Sequence, residues 1–295
     1  MKVYRYKGQS SRTNLYGRIK NLAMETHKFT RKKEYKKMRL ATMAGQNDDP
    51  QKIRDMGFEG VQLMLDQWNA TDLNYTDEEY VGIKRKFYAG GLQIVALCGY
   101  VDFLDGDPSV RVEQVKKALI AAPKVGAKIV ITWGGFKKPG MDIESARKQV
   151  TDMLAQVMPT AIENNVYLAI EMYDQCVIGT PKEIVNTIKA LNTNNLMIVM
   201  DPPNVFKASD LGRIPKAIDE IVDSAAGNII LVHAKDMLFK DGNRELPYAG
   251  AGQIDYPAYI RALKRVGYDY FLVVEHVSPE TIESARDHVL SALSQ

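Results

Sequence analysis

Eight short runs of β-branched and apolar residues recur along the chain from residue 39 onward, each separated from the next by a longer amphipathic stretch. They read "RLATM" (39–43), "GVQLML" (60–65), "LQIVAL" (92–97), "KIVITW" (128–133), "VYLAIE" (166–171), "LMIVMD" (196–201), "IILVHA" (229–234) and "FLVVEH" (271–276). A strand that is apolar at nearly every position has both faces covered, which is the condition of a parallel sheet walled by helices. The intervening stretches carry helical spacing, as in residues 110–124 and 144–164. Helix-start residues introduce several of them: Asp142, Thr180 ahead of Pro181 and Glu183, and Ser209. Gly57, Gly91, Gly126 and Gly267 stand where a helix hands over to a strand and act as C-terminal stops. Eight strand-helix units in about 255 residues predict an α/β chain folded as a closed (β/α)8 barrel, one domain over residues 38–295. The rival, a doubly wound open sheet, wants a three-glycine phosphate loop after a strand. "YAGAGQID" offers only Gly250 and Gly252 and follows a loop.

Charge is unevenly spread. Residues 1–37 hold twelve Lys/Arg against Glu25 and Glu34, a balance of +10, which leaves −7 for the remainder of a chain whose net charge is +3. The basic leader reads as a disordered or peripheral tail, or as residues upstream of a start at Met38; its other reading is a contact with nucleic acid or an anionic membrane. An acidic body argues against a nucleic-acid groove, so no nucleic-acid partner is expected. No window reaches the roughly 18–20 uninterrupted apolar residues of a membrane span and no secretory signal opens the chain, so the expectation is a cytoplasmic protein without a membrane partner. Cys98 and Cys176 are far apart and lack CxxC spacing, which suggests neither a disulfide framework nor a thiolate metal site. Cys98 reads as a small buried hydrophobe.

In a (β/α)8 barrel the active site lies at the C-terminal strand ends. The fifth run ends on Glu171, the sixth on Asp201, the seventh on His233, and the eighth on Glu275 and His276. Singly, each of the first four has a plain role as a cap, a surface ion pair or a hydrogen-bonded structural histidine. Together they converge, because consecutive strands of a closed barrel are neighbours. Three carboxylates crowded without a cation repel one another, and a divalent ion between them is the cheaper arrangement. Three oxygen donors and one imidazole favour Mn²⁺ or Mg²⁺, with Co²⁺ or Zn²⁺ tolerated, and leave coordination positions for substrate oxygens.

With these residues placed, the chain resembles the xylose-isomerase-like barrels, the superfamily of sugar phosphate isomerases and epimerases. The matching stretches are "GFEGVQL", "LAIEMYDQCVIGTPKEIV", "IVMDPPN", "LVHAKDM" and "AGAGQIDYPAYIRALKRVGYDYFLVVEHV", and the resemblance covers roughly residues 39–290. It implies that Glu171, Asp201, His233 and Glu275 ligate one divalent metal and that Glu171 and Glu275 double as an acid/base pair. It further implies a small carbohydrate substrate and assembly as a homo-oligomer. A metal holding a carbonyl oxygen and the neighbouring hydroxyl acidifies the intervening C–H, and two carboxylates can then remove and return a proton through an enediolate. Two departures stand out. Gln62 replaces the Glu often found on the second strand, and Asn204 stands where epimerases often have His, able to hydrogen-bond a sugar hydroxyl but not to shuttle a proton. Relatives with similar ligands dehydrate keto-inositols or eliminate from 3-keto-glycosides. The DNA-repair members use a histidine-rich zinc cluster, which a chain with four histidines, one of them His27 in the leader and another His288 in the last helix, does not supply.

Alternation along the seventh strand puts Lys235 on the side of His233 and turns Asp236 away. Lys235 then either binds a substrate hydroxyl or enolate, or forms a salt bridge with Asp236 or near Asp201. His276 is expected to face the helical layer. Trp68, Tyr100, Trp133 and Tyr173 follow or end strands on the same barrel face and together suggest a sugar-sized pocket. The connection 237–255, with Gly242, Gly250 and Gly252, reads as a lid or an ordinary surface loop, and Lys137 and Lys138 as a phosphate contact or a solvated pair. The functional expectation is a metal-dependent sugar isomerase or epimerase; a lyase sharing its first step, and a non-catalytic sugar-binding or assembly subunit, are the alternatives.

Overall fold

A computed structural model describes residues 38–65 and 73–295; the basic leader and Trp68 lie outside the described residues. The eight apolar runs all become strands of one closed, parallel barrel. These are Arg39–Gly45 (β1), Gly60–Met64 (β2), Gln93–Cys98 (β3), Ile129–Thr132 (β4), Tyr167–Glu171 (β5), Leu196–Met200 (β6), Ile229–Ala234 (β7) and Phe271–Val274, which is β10 because the hairpin Leu238–Lys240 (β8) and Asn243–Glu245 (β9) intervenes. Closure comes from β1 pairing β10, with Ala41 opposite Val273 and Thr42 opposite Val274.

Local chemistry sets the helix boundaries. Thr180 caps the helix Pro181–Leu191 with a full capping box, its hydroxyl accepting from the Glu183 amide while the Glu183 carboxylate accepts from the Thr180 amide at 2.9 Å. Asp142 caps Ile143–Glu163, and the expected helix at 110–124 runs Pro108–Val125. Gly57, Gly91, Gly126 and Gly267 all take positive φ just beyond their helices, as stops do. Ser209 is a correction. It lies inside the 3₁₀ segment Ala208–Arg213, and the helix proper starts at Ile214, five residues later, with Pro215 in its first turn. A proline there has no amide to satisfy and its fixed φ suits helix entry, so it outcompetes an upstream serine as the start.

Side-chain parity along the strands decides what reaches the barrel mouth. Ala169, Val199, Leu231 and Val273 belong to one inner apolar cluster with Ala41, Ile129 and Ile131, while Leu168, Ile170, Ile198, Met200, Val232 and Val274 join the cluster under the helices. Two residues past each of the first four stand Glu171, Asp201, His233 and Glu275, on the inward side and one layer higher. Side chains of a strand alternate faces with a period of two, so this layer of charges is a direct continuation of the apolar plug beneath it. None of the described helices is long and apolar enough to cross a membrane.

Because Leu231 is fully buried at the centre of that plug, Leu231→Ala should lower stability by about 2–5 kcal/mol in urea unfolding. A loss under about 1 kcal/mol would mean that the inner layer is not a packed support for the strand ends above it.

Candidate metal centre

The four strand-end residues meet. Glu171, Asp201, His233 and Glu275 are all buried, and one potential ligand atom from each lies within 4.8 Å of the others. The imidazole Nδ1 stands 3.3 Å from Glu275 Oε1, 3.6 Å from Asp201 Oδ2 and 3.7 Å from Glu171 Oε2. Its other nitrogen, Nε2, is 3.0 Å from the Oε1 of buried Gln62. An amide oxygen can only accept, so the Nε2 proton is held there and Nδ1 is presented to the carboxylates. The Gln62 amide nitrogen faces Cys98 Sγ and Tyr100 OH, each at 3.4 Å, which keeps Oε1 turned to the histidine.

Each carboxylate is oriented in turn. The Tyr100 hydroxyl donates a short hydrogen bond to Glu171 Oε2. The Asn204 amide lies 2.9 Å from Glu171 Oε1 and 2.7 Å from Asp201 Oδ2, and 3.1 Å from the Met172 carbonyl. Lys235, inward as alternation requires, places Nζ 2.5 Å from Asp201 Oδ2 and 2.7 Å from Glu275 Oε1, realising the ion pair near Asp201. Asp236 turns away and accepts from the amides of Met237, Gly250 and Ile254 at 2.8–2.9 Å. This carboxylate ties down the 237–255 connection, which contains the β8–β9 hairpin. Gly252 passes so close to it that a Cβ would sit 2.4 Å from Asp236 Oδ1.

Burial and charge pull against each other here. Burial disfavours the imidazolium of His233, but Glu275 and Glu171 outweigh it and hold its pKa well above the usual range. Burial likewise raises Glu275, and His233 and Lys235 outweigh it, so this carboxyl is held well below its ordinary value. Tyr100 is pushed well above its ordinary value by burial and then by Glu171, so it stays a neutral donor. Burial also pushes the Cys98 thiol up to about 12, in keeping with its reading as a buried hydrophobe.

Above the charges opens a cavity of about 1080 Å³ whose lining includes Tyr100, Trp133, Glu171, Lys235 and Glu275. Of the expected aromatics, Tyr100 and Trp133 line it, with ring centroids 4.9 Å apart. Tyr173 does not: it lines a separate depression of about 450 Å³ and reaches the others through Phe136, whose ring packs edge-on to both Trp133 and Tyr173. Sequence reasoning missed Phe136, which sits two residues past Gly134, the first glycine of the "WGGF" turn, and carries no strand signal. Asn204 also lies outside the cavity lining, its amide spent on the two carboxylates and Met172. His276 is a further correction: it is exposed, lines the cavity and sets Nδ1 2.7 Å from the Leu246 carbonyl. Its φ of 55° is left-handed, which breaks strand alternation just past β10. Lys137 and Lys138 reach the carbonyls of Asp174 and Leu104, each at 2.7 Å.

The residues present fit a divalent ion. Asp201 Oδ1 and His233 Nδ1 are buried without a hydrogen-bond partner among the described residues, and an orphaned buried polar atom ordinarily costs about 1–3 kcal/mol. A shared cation would satisfy both, and the oxygen-rich donor set suits a hard ion. If Gln62 sets the tautomer, Gln62→Leu should weaken Mn²⁺ binding about 10–100-fold in calorimetric titration with the circular dichroism unchanged. Unaltered affinity would leave the amide without that task.

Residues 50–292 match the family model described as the xylose isomerase-like TIM barrel. Inosose isomerase of Bacillus subtilis (strain 168) is 23% identical over 177 residues, 57% of this chain and 61% of that protein, so the match spans about three fifths of the relative. Among solved structures, 3-keto-D-glucoside 4-epimerase from E. coli superposes with a TM-score of 0.66 at 18% identity, covering 88% of this chain and 100% of that one. A xylose isomerase-like TIM barrel protein from Mycobacterium smegmatis in complex with magnesium gives a TM-score of 0.64 at 17% identity, over 83% and 86% of the two chains. A family match across most of the barrel, on a chain whose four strand-end donors converge as that resemblance implied, establishes that this chain belongs to the xylose isomerase-like TIM barrel family.

Proposed function

We propose that this chain is a divalent-metal-dependent isomerase or epimerase of a monosaccharide or keto-sugar, working by proton abstraction beside a carbonyl. The observation that carries the reading is the pairing of two cavity-lining carboxylates, Glu171 and Glu275, with a buried imidazole and a buried aspartate that each retain an unpartnered atom. Glu171, Asp201, His233 and Glu275 would hold the ion, with Mn²⁺ favoured by the donor set and Mg²⁺, Co²⁺ or Zn²⁺ admissible. When bound, such an ion polarises a carbonyl and its neighbouring hydroxyl and so acidifies the C–H between them.

The rest falls to the protein. Glu171 and Glu275 reach the cavity from β5 and from the end of β10, so one can take the proton from carbon while the other returns it. Tyr100 and Asn204 fix the two oxygens of Glu171, and Lys235 fixes Glu275, which holds both bases in a single rotamer before substrate arrives. Trp133 and Tyr100 supply the flat apolar surface that a sugar ring needs beside its hydrogen-bonding groups. Names carried by the relatives, an inosose isomerase and a keto-glucoside epimerase, support a carbonyl-bearing sugar or polyol as substrate.

The cavity also favours a second outcome of the same first step. It continues past the carboxylates to Lys52, Ser278 and Ile282 and slightly exceeds the roughly 300–1,000 Å³ usual for small-molecule sites. A sugar bearing a further group fits such a space, and with a leaving group on the carbon next to the deprotonated one the reaction ends in elimination.

Incubating the Mn²⁺-loaded protein with an inosose or a 3-keto-glucoside in D₂O tests the proposal. Deuterium should enter the carbon beside the carbonyl, and Glu171→Gln should slow that exchange about 10²–10⁴-fold. Turnover with no label and no effect of the substitution would exclude proton abstraction by this carboxylate, and release of water or an aglycone would select the elimination.

A further inference from the structure

The centre holds a cation of its own. Lys235 is buried, and its ammonium lies 2.5 Å from Asp201 Oδ2, 2.7 Å from Glu275 Oε1 and 3.9 Å from Glu171 Oε1. The first two are the oxygens that also stand nearest His233 Nδ1, at 3.6 and 3.3 Å. An ion coordinated by that nitrogen, with Asp201 Oδ1 still open to it, would therefore stand beside the oxygens that the ammonium holds. The lysine backbone is fixed, since its carbonyl accepts from Tyr256 OH at 2.8 Å and it bridges to Tyr248. The side chain is tied through its ammonium, lines the cavity and carries a flexible four-carbon stem.

Resting on the reading of this cluster as a metal centre, we propose that Lys235 is its resident counter-ion: it holds Asp201 and Glu275 together before a metal enters and opposes the ion that arrives. Three buried carboxylates with only the His233 imidazole between them would repel one another, so the lysine keeps the ligand geometry assembled. The same positive charge, a few ångströms from the metal position, lowers the affinity that three carboxylates and an imidazole would otherwise have. Lys235 is thus a positioning residue that makes metal loading reversible. A merely structural ion pair would behave differently, because breaking it would damage the metal-free and metal-bound proteins alike.

The two effects have opposite signs, and that separates them. After chelator treatment, Lys235→Met should melt at a lower temperature than the wild type. Its Mn²⁺ affinity, read by calorimetry or by the electron paramagnetic resonance signal of free Mn²⁺, should rise roughly tenfold or more. Lys235→Arg, which keeps a cation, should return the affinity toward the wild-type value. Unchanged or weaker Mn²⁺ binding by Lys235→Met, with the wild type binding normally, would overturn the role of the lysine alone. Failure of wild type and variants alike to bind Mn²⁺ would overturn it together with the metal centre. If Lys235→Met folds only when purified in Mn²⁺, metal release under chelator challenge reads the same balance: slower loss than wild type supports the proposal, and equal or faster loss ends it.

Discussion

Three buried carboxylates gathered around one imidazole are the constraint on which the rest of this barrel depends. Removing a carboxylate from water costs several kcal/mol even after relaxation. Glu171, Asp201 and Glu275 are all taken out of water together, at the top of an apolar plug that cannot solvate them. Their stabilisation has to come from within the site. It is visible in the Tyr100 phenol, the Asn204 amide and the Lys235 ammonium, each aimed at a carboxylate oxygen. Of these the ammonium alone carries a full opposite charge, so it adds Coulomb attraction to its hydrogen bonds. The arrangement nevertheless leaves Asp201 Oδ1 and His233 Nδ1 unsatisfied. A site solely for stability would have closed on itself; this one is shaped for something more to enter.

The surrounding loops serve the same end. The segment after β4 and the segment after β5 lie backbone against backbone, with Val177 N donating to Gly135 O at 2.8 Å and Lys137 N to Gln175 O at 2.8 Å. A Cβ on Gly134 would fall 1.9 Å from the Ile178 carbonyl, so only glycine permits the approach. That contact sets Trp133 against Tyr100 and Phe136 behind Trp133, backing the aromatic wall of the cavity. On the opposite side, Asp236 gathers three backbone amides and holds the long connection beyond β7 in place. Two adjacent residues of one strand end, Lys235 and Asp236, therefore organise the interior charge and the exterior loop separately, divided only by the alternation of the strand.

That alternation also explains which parts were legible in the sequence. Every apolar run became a barrel strand, and four of them end on an ionisable group of inward parity, so fold and donor set could be read together from residues 171, 201, 233 and 275. The reading failed where regular backbone ends. His276 adopts a left-handed φ and leaves the strand's periodicity, Ser209 lost the helix start to Pro215, and Tyr173 follows its strand by two residues into a turn that carries it away from the cavity. Asn204 is a different case: its position near the site was evident, but whether its amide would meet a substrate or the carboxylates depended on a 3₁₀ turn, Pro202–Asn204, that no periodicity announces.

Gln62 shows how closely charge is counted here. A glutamate in its place could also accept from His233 Nε2, so hydrogen bonding alone does not favour the amide. The difference is one unit of charge among buried groups. With an ion bound and histidine neutral, as a ligand must be, three carboxylates would carry −3, which one lysine and one divalent ion would together neutralise. A fourth carboxylate at position 62 would leave an uncompensated charge among buried groups, and it would face Cys98 and Tyr100 without the amide nitrogen that now points at them. At about 4 Å, an unpaired unit charge interacts with its neighbours by roughly 4 kcal/mol even at an effective dielectric of 20. That exceeds the roughly 1.5–3 kcal/mol that a hydrogen bond to a charged group contributes. The neutral amide and the buried lysine thus belong to one electrostatic solution: the amide directs the imidazole without adding charge, and the lysine supplies what a divalent ion leaves unbalanced.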